Sequence, residues 1–304
     1  MSAPRRRSAK SKGSLSGGKG AEGSLTASTE RRSPHRPKFS EGWRKTIEHD
    51  QAPAFDDTDY IDIWAAQPDT LLRAHSCLKL LTEDDWTTLN QIQNPANRHS
   101  ATAARVLLRL GLSRAVDREI APSDWTFERS EGSKPVVSTA LPRINFSVAH
   151  VDELSVVAIS QRLEVGVDVE SVDQNVSESV MTDFSHVDEY NAVRDLRPRQ
   201  RVREFLRFWT LKEAYTKMVG VGQSLDFDTI KFVLDPLALK RSGAQASRER
   251  MPPQFESFYI PVDYGLFHVS LAIEHPEQRG VSTEVQIISL AKPKGIGAAT
   301  HARA

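Results

Sequence analysis

A short segment near the middle of the chain restricts the fold more than any other part of the sequence. From Gly166 to Glu170, acidic residues alternate with valines. Because side chains alternate across a β-strand, such a strand places Asp168 and Glu170 on one face and buries the valines on the other. Its first residue is a glycine, which permits a close approach of backbone or ligand. Alternating acids are also common on half-exposed strands, so this pattern alone leaves a purely structural role open.

A second segment, about forty residues later, has the spacing of a helix. Trp209, Glu213 and Lys217 recur every four residues and therefore share one helical face. A Glu four residues before a Lys is the favoured surface ion pair of helices, which is the structural alternative. Apolar residues surround the pair, however, and predict a buried helix, in which a glutamate and a lysine need partners. These residues are Phe205, Leu206, Phe208, Leu211 and Tyr215.

Together, the two segments predict a site for a divalent cation and a phosphate. If the strand and the helix pack against each other, three carboxylates surround a hard cation and Lys217 lies beside them. The carboxylates are those of Asp168, Glu170 and Glu213. Oxygen ligands are those that Mg²⁺ prefers, and a fixed ammonium group binds phosphate. The combination suits Mg²⁺ bound to a pyrophosphate.

The distribution of charge separates a basic tail from a mildly acidic remainder. The 304 residues carry no net formal charge, but residues 1–50 contain 12 Lys and Arg against 5 Asp and Glu. Residues 1–55 are rich in Ser, Gly, Arg, Lys and Pro and lack a sustained hydrophobic period, which predicts a disordered tail. We interpret it as a solvated extension, with binding to nucleic acid as the alternative.

Cysteine content and hydropathy indicate the class of protein. Cys77 is the single cysteine, so no intrachain disulfide and no thiolate metal site is expected. No apolar run approaches the roughly 18 residues of a membrane span. The arginines at positions 5–7 are not followed by the apolar region of an export signal. These features predict a cytoplasmic protein without a membrane span.

The order of the predicted elements indicates an α+β protein made of two similar halves that meet near residue 165. One helix is expected to start after the N-cap Asn94 and to end at Gly111. A long helix is expected from Pro198 to Gly220. The predicted divisions are a disordered tail (1–55), an N-terminal α/β half (56–165), a C-terminal α/β half with the metal site (166–290) and a flexible C-terminus (291–304).

Four basic residues are candidates for binding phosphate, and each has a structural alternative. Lys134 precedes a proline in a predicted turn, where it could also be a charge facing solvent. His150 ends the first strand of a predicted hairpin, a position that often holds a structural histidine. Arg98 and Arg105 lie on roughly one face of the helix that follows Asn94, and they either bind a phosphate or decorate the helix.

Taken together, these segments resemble the 4′-phosphopantetheinyl transferases of the larger, single-chain type, which serve polyketide, peptide and fatty-acid synthases. That family has a G-[IV]-D-[IV]-E strand and a W-x-x-K-E-[AS]-x-x-K helix that leads into G-x-G. The corresponding segments here run from Gly166 to Glu170, from Trp209 to Lys217 and from Gly220 to Gly222. This pair, in this order and at this separation, is highly specific. The resemblance covers about residues 59–275.

Two further segments of the family, a G-K-P turn and an F-N-x-S-H strand, are present in altered form. Ser133 replaces the glycine before the lysine. In the second segment His150 matches, while Ser147 replaces the asparagine and Ala149 the serine. A serine at the latter position would donate a hydrogen bond to a CoA phosphate, so Ala149 predicts weaker CoA binding without loss of the chemistry.

The resemblance implies a pseudo-dimer of two α/β halves with CoA and Mg²⁺ in the cleft between them. The implied metal ligands are Asp168, Glu170 and Glu213. The implied CoA-binding residues are Arg98, Lys134, His150 and Lys217. The implied catalytic residues are Glu213, Lys217 and Glu170. Glu213 is expected to act as the general base, with Glu170 as the alternative, and Lys217 to stabilise charge on the bridging phosphates.

The implied reaction is the transfer of the phosphopantetheine arm of CoA to a serine of an apo acyl or peptidyl carrier protein, with release of adenosine 3′,5′-bisphosphate. The acidic helix of a carrier requires a complementary basic surface, and an arginine cluster is the candidate. It comprises Arg194, Arg197, Arg199, Arg201 and Arg203, which otherwise form a solvated helix start. We expect a monomer. Two alternatives remain: a nucleic-acid-binding protein that acts through its tail, and a homologue that binds CoA or carriers without turnover.

Overall fold

The computed structural model describes residues 44–48, 58–129, 134–220, 225–240, 252–263, 265–274 and 280–288. Helices and strands both occur throughout this part of the chain, so the predicted mixture of α and β structure is confirmed. Within these ranges, no helix has the length and apolar character needed to cross a membrane.

The helices are α1 (Pro68–Leu72), α2 (Glu83–Asn90), α3 (Pro95–Ala115), α4 (Glu178–Phe184), α5 (Val187–Val193) and α6 (Pro198–Val219). The strands are β1 (Arg44–Glu48), β2 (Thr58–Ala66), β3 (Phe127–Glu128), β4 (Val136–Val137), β5 (Asn145–His150), β6 (Ser155–Ser160), β7 (Val165–Ser171), β8 (Lys231–Leu234), β9 (Leu237–Lys240), β10 (Gln254–Val262), β11 (Gly265–Ile273) and β12 (Gly280–Ile288).

Most strands belong to two sheets. The first sheet has the order β1-β12-β2-β6-β5, and the second has the order β10-β11-β7. Neighbouring strands in both sheets are antiparallel except β12 and β2, which are parallel. The pairs β3–β4 and β8–β9 form separate two-stranded ribbons.

The two sheets pack face to face, and a long helix covers the outer face of each. Side chains of β2, β5 and β6 meet those of β7, β10 and β11 in one apolar cluster between the sheets. Helix α3 packs on the other face of the first sheet, against Trp64, Val157 and Ile159. Helix α6 packs on the other face of the second sheet, where Ala272 joins its apolar side chains. The layers are therefore helix, sheet, sheet and helix.

Helix α3 begins where the sequence predicts but ends later. The Oδ1 atom of Asn94 accepts hydrogen bonds from the amides of Ala96 and Asn97, which confirms the N-cap. The expected end at Gly111 is wrong, because the helix continues to Ala115. A Cβ atom at Gly111 would lie 2.4 Å from Cδ1 of Ile159, so the glycine allows the helix to lie close to β6. Tertiary packing, and not a helix cap, accounts for this glycine.

The first and the last described strands, β1 and β12, both belong to the first sheet. Strand β1, which lies within the predicted disordered tail, pairs with β12. It differs from the expectation of disorder because the edge of β12 offers main-chain partners that local composition does not reveal. The rest of the tail and the predicted flexible C-terminus, residues 291–304, lie outside the described residues.

The predicted division at residue 165 stays a prediction. Strands β2, β5 and β6 with helix α3 precede this boundary, and β7, β10 and β11 with helix α6 follow it. Each group combines a sheet with one long outer helix, as two similar halves would. Strand β12 comes from the C-terminal range but pairs with β2, so the C-terminal segment completes the sheet of the first half.

Candidate active site

Strand β7 contains the predicted acidic segment, and its side chains alternate as expected. Val165, Val167 and Val169 pack in the cluster between the sheets. Asp168 and Glu170 lie on the opposite face, toward helix α6. The prediction of a strand with one buried apolar face and one acidic face is therefore confirmed.

Gly166 brings β7 and α6 into direct backbone contact. A Cβ atom at this position would lie 1.9 Å from the carbonyl oxygen of Ala214 and 2.5 Å from the amide nitrogen of Met218. Real Cβ atoms do not approach backbone atoms so closely, so only glycine fits here. The close approach predicted for this glycine is confirmed, and its partner is the helix that carries Glu213 and Lys217.

Lys217 contacts Asp168 directly. Its Nζ atom donates to Oδ1 of Asp168 over 2.6 Å and to the carbonyl oxygen of Val167 over 3.1 Å. Asp168 is buried, whereas 29% of the Lys217 side chain is exposed and can meet a ligand. Burial alone would lower the pKa of this ammonium group, but the carboxylates of Asp168, Glu213 and Glu170 outweigh burial and raise it. Lys217 is therefore positively charged at neutral pH.

The other two predicted carboxylates are less tightly organised. Glu213 is half-buried on α6, one turn before Lys217. Glu170 is half-buried on β7, and its Oε2 atom accepts a hydrogen bond from Nε2 of Gln174 over 2.8 Å. Among the described residues, no group of three or more His, Cys, Asp or Glu side chains is arranged to hold a metal ion. All three carboxylates raise the pKa of Lys217. Among the described residues, however, they are not arranged as a complete set of metal ligands.

Lys134 lies at the beginning of β7 and is held by protein groups. Its Nζ atom donates to the carbonyl oxygen of Val165 over 2.8 Å and to Oε2 of Glu164 over 3.1 Å. Burial lowers the pKa of Lys134, and the carboxylate of Glu164 offsets part of that effect. Lys134 also lies near Gly220, at the end of α6. Lys134 is therefore not a charge that simply faces solvent. A phosphate bound to its ammonium group would have to compete with the carboxylate of Glu164.

His150 is oriented by a serine that the sequence did not single out. Its Nδ1 atom lies 3.0 Å from Oγ of Ser100, which is buried in α3. The Ser100 hydroxyl donates to the carbonyl oxygen of Asn97 over 3.1 Å, so its oxygen can accept from Nδ1 in the tautomer that carries a proton there. Arg98, half-buried, lies two residues earlier on the same helix. The structure thus places the two predicted nucleotide-binding residues at one end of α3.

Arg105 has a structural partner, which decides between its two interpretations. Its Nε atom lies 3.3 Å from Oδ1 of Asp85, and its guanidinium lies over the ring of Phe127. Arg109, fully buried one turn later, donates from Nε to Oδ2 of Asp85 over 2.7 Å and from NH1 to the carbonyl oxygen of Trp125. Asp85 therefore joins α2 to α3 through two arginines, and Arg105 belongs to this cluster.

Two further residues of the W-x-x-K-E segment hold helix α6 in place. Trp209 packs against the rings of Phe184 and Phe227, with centroid distances of 5.2 and 5.6 Å. Lys212, fully buried, donates to the carbonyl oxygens of the same two residues and lies 2.6 Å from Oε2 of Glu189. Burial lowers the pKa of Lys212 and Glu189 counteracts this effect. This ion pair is a structural contact that the spacing of the segment does not reveal.

The two departures in the F-N-x-S-H segment face the interior of the protein. Ser147 is buried, and its Oγ atom accepts a hydrogen bond from the amide of Val167 over 3.0 Å. Ala149 is buried in the apolar cluster between the sheets. Strand alternation places residues 147 and 149 on the inner face of β5, so a serine at position 149 would place its hydroxyl among apolar side chains. The expected effect of Ala149 on CoA binding stays a prediction.

Comparison with known proteins agrees with this geometry. Residues 164–254 match the model of the 4′-phosphopantetheinyl transferase superfamily, and this range contains β7 and α6. The chain is also 27% identical over 204 residues to the 4′-phosphopantetheinyl transferase HetI of Nostoc sp., covering 64% of this chain and 84% of that protein. The chain is therefore similar to 4′-phosphopantetheinyl transferases, and residues 164–254 carry the match to the superfamily model.

Two other transferases of this superfamily are similar over a shorter part of their length. The L-aminoadipate-semialdehyde dehydrogenase-phosphopantetheinyl transferase of Xenopus laevis is 26% identical, over 54% of this chain and 57% of that protein. A phosphopantetheinyl transferase of Thraustochytrium sp. is 25% identical, over 57% of this chain and 62% of that protein. The chain therefore spans about three fifths of each of these two relatives.

The matched range separates the candidate residues of this chain into two groups. Asp168, Glu170, Glu213 and Lys217 lie inside it, on β7 and α6. Arg98, Lys134 and His150 lie before it. The prediction that these three residues bind CoA therefore depends on the motif resemblance and on their positions in this fold.

Proposed function

We propose that this chain transfers the 4′-phosphopantetheine group of CoA to a serine of an apo acyl or peptidyl carrier protein. One observation supports this proposal above the others. Within the range matched by the superfamily model, β7 and α6 place the ammonium group of Lys217 on Asp168, with two further carboxylates in electrostatic range. Such a site can neutralise and position a diphosphate.

The donor set fits Mg²⁺. Its oxygens come from Asp168, Glu170 and Glu213, which are carboxylates of the kind that this ion prefers. Mg²⁺ generally binds through one or two carboxylates, water and the phosphates of its substrate, so the lack of a complete protein cage is compatible with this ion. When bound, Mg²⁺ would supply positive charge at the diphosphate. Asp168 and Glu170, which lie two residues apart on one strand face, are the proposed principal ligands.

The remaining chemistry is assigned to residues of the chain. Glu213, or Glu170 in its place, takes the proton of the carrier serine. The serine oxygen then forms a bond to the phosphorus that bears pantetheine, and the bond from that phosphorus to the bridging oxygen breaks. The leaving adenosine 3′,5′-bisphosphate keeps the electron pair, and Lys217 stabilises its charge.

A basic surface at the start of α6 is proposed to receive the carrier. Arg197 and Arg199 are exposed there. Other members of the cluster are partly neutralised, since Arg201 lies 3.0 Å from Glu178 and Arg203 lies 3.8 Å from Asp173. Arg197 and Arg199 are therefore the members that we expect to contact the acidic helix of a carrier.

The function can be tested with CoA, Mg²⁺ and an apo carrier protein, followed by intact mass measurement of the carrier. We expect a mass gain equal to the phosphopantetheine arm, and no gain when EDTA removes the metal. A carrier whose acceptor serine is replaced by alanine is the control and should gain no mass. Tight binding of CoA without a mass gain on several carriers would contradict the proposal and favour a homologue without turnover.

Ser100 provides a test of the nucleotide end of the site. Replacing Ser100 by alanine removes the acceptor for Nδ1 of His150, so we expect the KM for CoA to rise about threefold to tenfold, as for one hydrogen bond of about 0.5–1.5 kcal/mol. His150→Ala should have at least the same effect, and the double variant should add little to it. Steady-state kinetics with varied CoA measure both. Ser179→Ala, at an exposed position of α4, is the control and should keep the wild-type KM.

A further inference from the structure

Side chains form hydrogen bonds with main-chain groups along the edge of β7 that does not pair with β11. At either end of the strand, the amide of Glu274 donates to the carbonyl oxygen of Glu164, and the amide of Val172 donates to that of Leu266. In an antiparallel pair, residues alternate between those that exchange hydrogen bonds and those that do not. The even-numbered residues of β7 therefore pair with β11, and the odd-numbered residues direct their peptide groups to the open edge.

Three side chains form hydrogen bonds with main-chain groups at successive positions along this edge. Lys134 donates to the carbonyl oxygen of Val165, the hydroxyl of Ser147 accepts from the amide of Val167, and Lys217 donates to the carbonyl oxygen of Val167. Two of the three are the lysines assigned to phosphates. The peptide groups of Val165 and Val167 thus set the separation of two ammonium groups along one line.

Val167 is held on both of its main-chain polar groups. Ser147 holds the amide over 3.0 Å, and Lys217 holds the carbonyl oxygen over 3.1 Å. The same ammonium group reaches Oδ1 of Asp168, the next residue, over 2.6 Å. A displacement of the backbone at Val167 would therefore move both acceptors of Lys217 at once.

We propose that Ser147 is a positioning residue, which fixes the backbone at Val167 and through it the Asp168–Lys217 pair. Ser147 comes from β5 of the first sheet, so its hydroxyl also connects the two sheets at the site. No strand of the described chain pairs along this edge of β7, so the amide needs a side-chain acceptor. The role rests on the proposed transfer reaction, in which that pair binds the diphosphate.

The test compares Ser147→Ala with a variant that removes the same kind of hydrogen bond elsewhere. Ser160 is buried in β6, and its Oγ atom accepts from the amide of Leu163 over 3.1 Å and from that of Arg162 over 3.4 Å. Each alanine variant removes a serine acceptor from a buried amide, so Ser160→Ala should lose at least as much thermal stability as Ser147→Ala. Ser147→Thr keeps a hydroxyl and serves as the rescue variant.

We expect Ser147→Ala to lower kcat by about tenfold, since small displacements of positioned groups have large kinetic effects. The Mg²⁺ concentration for half-maximal rate should rise, while the KM for the carrier should not change. Ser160→Ala should keep wild-type values of all three quantities, and Ser147→Thr should recover most of kcat. Equal kinetics for Ser147→Ala and Ser160→Ala would overturn the proposal.

A second measurement does not depend on turnover. Competitive acetylation, followed by mass spectrometry of the peptides, reports how accessible and how strongly paired the Lys217 amine is. The amine should react severalfold faster in Ser147→Ala than in wild type or Ser160→Ala, and an unchanged rate would overturn the proposal. If the wild-type chain modifies no carrier, the proposed function fails, whereas this comparison still decides whether Ser147 positions Lys217.

Discussion

Replacement of Asp168 by alanine is expected to lower kcat/KM for carrier modification by about 10²–10³-fold. The change removes the 2.6 Å contact to Nζ of Lys217 and one proposed oxygen ligand of Mg²⁺. Lys217 would keep the carbonyl oxygen of Val167 as an acceptor, so its ammonium group would lose its strongest contact without becoming isolated. Asp168→Asn keeps the shape and removes the charge, and a similar loss is expected.

The same kinetic assay should include a nearby carboxylate as a control. Asp173 follows β7, its side chain is exposed, and it lies 3.8 Å from Arg203. Asp173→Ala should keep nearly wild-type kcat/KM, because exposed ion pairs contribute little. Circular dichroism of each variant checks that the fold is retained. Wild-type rates in a folded Asp168→Ala protein would contradict the assignment of the site to β7 and α6.

Replacement of Gly166 by alanine is expected to lower the free energy of unfolding by about 3 kcal/mol, the upper part of the usual range for overpacking. The new Cβ would lie 1.9 Å from the carbonyl oxygen of Ala214, a backbone atom that cannot move without the helix. For a domain of this size the melting temperature should fall by roughly 6–12 °C. Because α6 carries Glu213 and Lys217, its displacement should also remove most of the activity.

Gly111→Ala is the matched control for this substitution. It also introduces a close contact, 2.4 Å from Cδ1 of Ile159, but this atom is the end of a flexible side chain. Alanine additionally favours a helix over glycine by about 0.5–1 kcal/mol, which offsets part of the crowding. We expect a change in melting temperature of only a few degrees and retained activity. Equal destabilisation by both alanines would show that backbone contact at Gly166 is not the limiting factor.

Local sequence patterns were sufficient to predict the strand and the helix that carry the site. The alternation of acids and valines predicted β7, and the four-residue spacing of Trp209, Glu213 and Lys217 predicted α6. Both signals are strong because each pattern satisfies only one kind of regular structure. The N-cap at Asn94 was predicted for the same reason, since cap preferences are local. The expected end of the long helix at Gly220 is also confirmed, and the structure shows a left-handed C-cap there.

Local patterns were insufficient where distant parts of the chain decide the role of a residue. A glycine such as Gly111 is typical of the end of a helix, but Gly111 lies inside α3, where Ile159 packs against it. Arg105 was left open between a phosphate ligand and a surface residue of the helix, and the structure shows that Asp85 of another helix holds it. Ala149 was singled out for its effect on CoA binding, and the structure shows that it packs in the core between the sheets. In each case the deciding partner is remote in sequence.

The sequence by itself therefore determined which residues share a face of β7 or of α6, because those periods follow from backbone geometry alone. Only the tertiary structure decided which groups those faces meet: Asp168 with Lys217, the amide of Val167 with Ser147, and Lys134 with Glu164. Such contacts join residues 20 to 49 positions apart. They depend on how two sheets and a helix pack, which no local period encodes.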